Sequence, residues 1–194
     1  TNPDAFEEVA DCVLGGTASV PPGTAWSFWA PVSLRPLTGF LDGRLALGAA
    51  YEAPRVPDAS GTLDARLEAG DLGVVLVQAL PSRPDDPWVG KGDLAEAGDL
   101  DEVLAALNPQ LAPNVVRAEA DVYDGVSYYT YELRNARTSY RNRRTIKLVL
   151  AGAALLAIDA RCDEAQWARA GPVHNALVAS FRIGEQAARS PFPA

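Results

Sequence analysis

His174 is the only histidine in the chain, followed by Asn175 in a stretch with helical pattern. An imidazole working as base or metal ligand needs a nucleophile or further ligands, and no second histidine exists to supply them, so a surface or capping role is the expectation. Cys12 and Cys162 lie far apart and match no zinc-ligand spacing, which leaves a disulfide and free buried thiols both open. Asp85-Asp86 and the trio Asp99, Asp101 and Glu102 could offer oxygens to calcium, but neither follows the EF-hand loop. A solvated loop and a helix cap account for them. Gly15-Gly16, Gly90-Lys91-Gly92 and Gly171 lack the strand–loop–helix setting of a phosphate site, and no GxSxG elbow occurs. The expectation is a protein that is not an enzyme and holds no cofactor or metal.

One constellation remains. Arg134, Arg137, Arg141, Arg143, Arg144 and Lys147 cluster about one predicted hairpin. The chain has net charge −8, but residues 1–125 carry seven basic and twenty acidic side chains (−13) and residues 126–194 ten and five (+5). The acidic total argues against nucleic acid as partner. Two readings of the cluster follow: a hydrated turn, or a patch that docks on an acidic protein surface by steering and orienting the encounter.

The elements that carry these residues follow from periodicity. With 194 residues, 48% apolar and 22% charged, the chain suits one globular domain. The longest apolar run, LVLAGAALLAI at 148–158, is too short for a bilayer and is broken by Gly152, so it reads as two strands and a turn. The first residues show neither a signal nor a transit pattern. Phe6, Val9, Ala10, Val13 and Leu14 predict a helix over Pro3–Leu14, and the alternation at 25–30 predicts a strand. Strands are also predicted at Arg44–Tyr51, 62–68 and Leu72–Leu80, the last apolar on both faces and therefore central.

Asp99 and Glu102 form a capping box for a helix at Leu100–Leu107. In VVRAEADVY, apolar residues at 116, 118, 120 and 122 alternate with charged ones, the pattern of a half-buried strand. Asp124-Gly125 turns the chain into VSYYTYELR, where period two puts Tyr129, Tyr131 and Leu133 on the core face and Tyr128, Thr130, Glu132 and Arg134 on the other. Strands at Arg144–Leu150 and Ala154–Arg161 follow. A helix over about 171–181 has Pro172 in its first turn, with Trp167 packing beneath it against Leu177, Val178 and Phe181. The order implies an α+β fold, a central mainly antiparallel sheet with helices on both faces.

This order of motifs resembles the PsbP-domain family, extrinsic lumenal proteins of oxygenic photosynthesis. The residues that carry the resemblance are Gly125, Tyr128-Tyr129, Arg143-Arg144, Leu148–Leu150, Leu155–Ile158, Trp167 and Ser180-Phe181, preceded by WSFWAPVSLRP, GVVLVQALPS and GDLDEVLAAL. It covers about residues 24–183, leaving 1–23 as an N-terminal extension and 184–194 as a tail. Residues 37–61 are more irregular than the family's connection, and the N-terminal stretch lacks the lysine-containing segment of the plant oxygen-evolving protein. The metal-binding histidines of some members have no counterpart here.

The resemblance implies an α-β-α sandwich in the chloroplast thylakoid lumen, peripheral to the membrane and without a transmembrane span. It implies a non-catalytic subunit that stabilises or assembles a complex, first of all the oxygen-evolving side of photosystem II, with photosystem core or antenna proteins as partners. Photosystem I or another thylakoid complex is the alternative within the family. A carrier of a small hydrophobic ligand in a tyrosine-lined pocket is the alternative outside it.

Overall fold

The computed structural model describes residues 6–12, 25–31, 35–36, 48–52, 72–80, 82–138, 140–152 and 154–184. The strands are β1 (Phe6–Cys12), β2 (Ala25–Pro31), β3 (Arg35–Pro36), β4 (Gly48–Glu52), β5 (Val74–Leu80), β6 (Val115–Tyr123), β7 (Val126–Arg134), β8 (Arg143–Ala151), β9 (Ala154–Cys162) and β10 (Arg182–Ile183). Two α-helices accompany them, α1 (Leu100–Leu107) and α2 (Trp167–Ser180). The large sheet runs β3-β4-β5-β9-β8-β7-β6, and its five long strands, β5 to β6 in that order, form a central antiparallel sheet. β1, β2 and β10 make a second, three-stranded sheet.

Local signals account for the hairpins. Asp124 (φ 47°) and Gly125 (φ 80°) both take positive φ between β6 and β7, the two-residue turn whose twist matches its strands. Gly152, at φ 66°, does the same between β8 and β9 inside the apolar run. Asp99 accepts from the Asp101 and Glu102 amides and Glu102 returns a bond to the Asp99 amide, so α1 starts where the capping box predicts.

Alternation then fills two cores. On one face Val75, Val77, Tyr128, Val149, Leu156 and Ile158 pack with Trp26 and Phe28 of β2 and with Leu177, Val178 and Phe181 at the end of α2. The other cluster joins Tyr129, Tyr131, Leu133, Ile146 and Leu148 to Trp88, Leu94, Val103 and Leu104. Each large apolar side chain fully buried here contributes about 1.5–3 kcal/mol relative to exposure. The tyrosines fill these cores. Tyr128 and Tyr131 are both fully buried, and the Tyr129 and Tyr131 hydroxyls donate to the carbonyls of Gly98 (2.6 Å) and Leu100 (2.7 Å).

Several expectations need correction. Of the helix expected over Pro3–Leu14, residues 6–12 form a strand and the rest lie outside the described residues: so short a helix is marginal without packing, while β2 offers a seven-residue ladder from Phe6↔Pro31 to Cys12↔Ala25. The 14 residues of α2 make it the one main helix against eight in α1, so the described residues show a central antiparallel sheet with one main helix. α2 also begins four residues earlier than predicted, which puts Pro172 in its interior. β6 is less buried than its alternation suggests, with Val116 and Val122 exposed, because it is the last strand of the large sheet. Of the strand expected at Arg44–Tyr51, 48–51 lie in β4, and 44–47 fall outside the described residues, as does the whole of the expected strand 62–68.

Candidate functional site

The β7–β8 hairpin holds the six predicted docking residues, and the structure divides them. Asn135 donates its amide to the Asn142 carbonyl (2.8 Å), which closes the loop between the strands. Arg134 and Arg137 are exposed. Arg134 Nε donates to Glu164 Oε2 at 3.0 Å, an ion pair with both partners about half exposed. Such a pair holds little stability and still leaves charge available in water. Arg141 sits at φ 45°, its amide donates to the Asp163 carboxylate, and its guanidinium lies 5.0 Å from the centre of the Tyr140 ring.

The other three point inward. Arg143 is buried, donates to Glu132 at 2.7 Å and stands over Trp167, 4.1 Å from its ring centre. Arg144 grips Asp159 with two nitrogens, Nε at 2.8 Å and Nη2 at 2.6 Å. Lys147 is 1% exposed, donates to the Ala179 carbonyl at 3.1 Å and stands over the Tyr128 ring at 4.7 Å. Both the hydrated-turn and the docking-patch reading need charge that faces solvent, and Arg143, Arg144 and Lys147 are turned to partners inside the fold instead. Strand alternation explains it: 143, 145 and 147 face α2, and 144 falls beside Arg161 on the opposite face.

Charge follows placement. Asp159 is wholly buried, which opposes its ionisation, but Arg144 and Arg161 together outweigh burial and hold its carboxyl below the usual range. Burial likewise works against the Arg144 charge, and the attraction of Asp159 overcomes it. Lys147 has no such partner. Burial, reinforced by Arg182, brings its ammonium down to about 7, with Asp121 pulling weakly the other way.

His174 is buried, not a surface residue: Nε2 lies 2.6 Å from the Leu72 carbonyl oxygen and Trp167 meets its ring edge-on at 6.2 Å. That carbonyl can only accept, so Nε2 carries the proton and buried Nδ1 is left without a partner. Nothing in the sequence signals this contact, whose partner is 102 residues away. Cys162 is a free buried thiol, pushed up to about 12 by burial, which makes it a packing residue rather than a nucleophile. Among the described residues, no group of three or more His, Cys, Asp or Glu side chains could hold a metal ion, and no helix is long and apolar enough to cross a membrane.

A cleft of about 200 Å³ opens beside α2, lined by Arg117, Glu119 and Asp121 of β6, Thr130 and Glu132 of β7, and Asn175. Apart from Ala179, the residues that line it are charged or polar.

No protein-family model and no curated protein sequence matches the chain. Among solved structures it is similar to the solution structure of cyanobacterial PsbP (CyanoP) from Synechocystis sp. PCC 6803, at 15% identity and a TM-score of 0.52, over 93% of this chain and 94% of that one. The fold is that of PsbP. At this identity the likeness lies in architecture, and in the PsbP-like frame the hairpin arginines divide into outward Arg134 and Arg137 and inward Arg143 and Arg144.

Proposed function

We propose that this protein is a non-catalytic, extrinsic subunit on the lumenal side of a photosynthetic membrane complex, first of all the oxygen-evolving side of photosystem II, which it stabilises or helps to assemble. The observation that carries this reading is the PsbP-like fold across 93% of the chain. Residues 24–183 are then the PsbP-like unit, an α-β-α sandwich, with an N-terminal extension and a C-terminal tail. Its place is the thylakoid lumen of a chloroplast, peripheral to the membrane, with photosystem core or antenna proteins as partners.

The docking charge belongs to Arg134, Arg137 and Arg141. Arg143, Arg144 and Lys147 support the hairpin from inside through Glu132, Asp159 and the end of α2. A tyrosine-lined carrier pocket loses its motive, since the rings of Tyr128 and Tyr131 are core.

The test is rebinding to salt-washed thylakoids. Wild type should rebind, co-migrate with photosystem II after mild detergent and release with rising salt. The variant with Arg134, Arg137 and Arg141 all changed to Ser should bind more weakly with a flatter salt dependence, because screening acts on the charges removed. Co-migration with photosystem I instead would move the assignment to that complex. Failure of the wild type to rebind would end it.

A further inference from the structure

The feature that neither the fold nor the docking hairpin uses is the outer edge of β6. It ends the large sheet, is nine residues long, and has no strand on its outer side among the described residues; the opposite edge, β3, has two residues. Edges of this length are commonly blunted because their free amides and carbonyls recruit other chains. Here the bulge between Val115 and Arg117 disturbs only one end, and the register from Arg117↔Glu132 to Tyr123↔Val126 is regular. Val116 is 56% and Val122 72% exposed. An edge built only to repel would not present them.

The two faces of the edge differ in chemistry. Ala118 and Ala120 stand opposite Tyr131 and Tyr129, so one side of the edge is small and apolar, continuing to Val122. Arg117, Glu119 and Asp121 lie on the other side, along the cleft. Arg117 is neutralised by Glu119 and Glu132 by Arg143. Asp121 acts across the cleft on Lys147, whose own charge burial opposes, and exposed Asp124 follows it. The rim therefore keeps an excess of negative charge.

We propose that β6 receives an extended segment of a partner protein by strand addition, and that this segment alternates basic with small apolar side chains. Main-chain bonds to β6 supply affinity and the alternating side chains supply selection. The basic side chains lie over the cleft beside Glu119 and Asp121, and the apolar ones cover Ala118, Ala120 and Val122. A second copy of the chain is a poorer occupant, since it brings the same acidic strand and a net charge of −8. The inference does not depend on which membrane complex the protein serves.

The probe is a capped seven-residue peptide alternating lysine and valine, titrated into isotopically labelled full chain and followed by amide chemical shifts and hydrogen exchange. The expected result is shifts confined to 116–124 and slowed exchange at alternate amides of β6. Replacing lysine by glutamate in the peptide, or N-methylating its alternate amides, should each weaken binding by about tenfold or more. Glu119→Lys combined with Asp121→Asn should weaken the lysine peptide to the same degree. Equal binding of the N-methylated peptide would show charge attraction without strand addition and overturn the proposal. So would shifts absent or spread over other surfaces. Protection of β6 amides without peptide, with sedimentation as a dimer, would give the edge to a second copy and overturn it as well.

Discussion

The Nε2 nitrogen of His174, in the middle of α2, is held 2.6 Å from the carbonyl oxygen of Leu72, just ahead of β5. The bond requires a neutral ring with its proton on Nε2, and burial lowers the imidazole below its ordinary value of 6.5. The folded protein thus resists a proton that the unfolded chain accepts. His174 contributes stability that is complete above pH 6.5 and is lost as pH falls from there through the folded value, by at most about 1.4 kcal/mol per pH unit. Urea unfolding at pH 7.5, 6.5 and 5.5 should show this decline, and His174→Gln should remove most of it while lowering stability at pH 7.5. A variant with the wild-type slope would mean that Lys147, brought down to about 7 by burial, or carboxylates set the dependence.

The inward and outward arginines should separate in stability. Arg137→Ser should change unfolding free energy by no more than about 0.5 kcal/mol, as for other exposed sites. Arg144→Ala removes one of two guanidiniums from buried Asp159 and should cost about 1.5–3 kcal/mol, with Arg161 limiting the loss. Comparable losses from chemical denaturation at both sites would contradict the division of the hairpin.

Tyr131 and Tyr128 point to opposite faces of β7, yet both are fully buried. Truncation to Ala should cost about 3–5 kcal/mol at each. Tyr131→Phe isolates the hydroxyl bonded to Leu100 and should cost about 1 kcal/mol. Thermal unfolding of the three variants measures this. A neutral Tyr131→Phe would mean the hydroxyl bond adds nothing beyond packing.

A Cβ added at Gly171 would stand 2.9 Å from Cε2 of Trp167. In an open helix Gly→Ala gains about 1 kcal/mol. Here the indole must move, so Gly171→Ala should instead destabilise by about 1–3 kcal/mol. Tryptophan emission should change with it, because Trp167 also carries Arg143 on its face. A stabilised variant would show that the ring has room to shift.

What was readable in the sequence was local. The capping box of Asp99 and Glu102 needs only four residues, and the Asp124-Gly125 turn only two, so α1 and the β6–β7 hairpin are where the pattern puts them. Tyr129, Tyr131 and Leu133 fall on one face because strand period is fixed by the backbone. Residues 6–12 show where this stops. Phe6, Val9 and Ala10 suit a helical stripe, and only the distant β2 ladder makes them a strand. The hairpin arginines fail for the same reason. Arg144 is inward because Asp159, 15 residues on, lies buried in the adjoining strand, and the fate of His174 depends on Leu72. A run of basic residues reports its charge but not its neighbours.

The pairing of β2 with the far end of the chain sets an order of assembly. β6 to β9 are consecutive strands joined by hairpins, so their contacts close short loops and can form early. Trp26 and Phe28 belong to the core that holds Leu177, Val178 and Phe181, and the Trp29 amide donates to Ser180 Oγ across 151 residues. During synthesis, from N- to C-terminus, these two aromatic side chains leave the ribosome long before α2 exists to cover them. Until the last helix arrives they are open hydrophobic surface, the kind that chaperones bind and that aggregates form around.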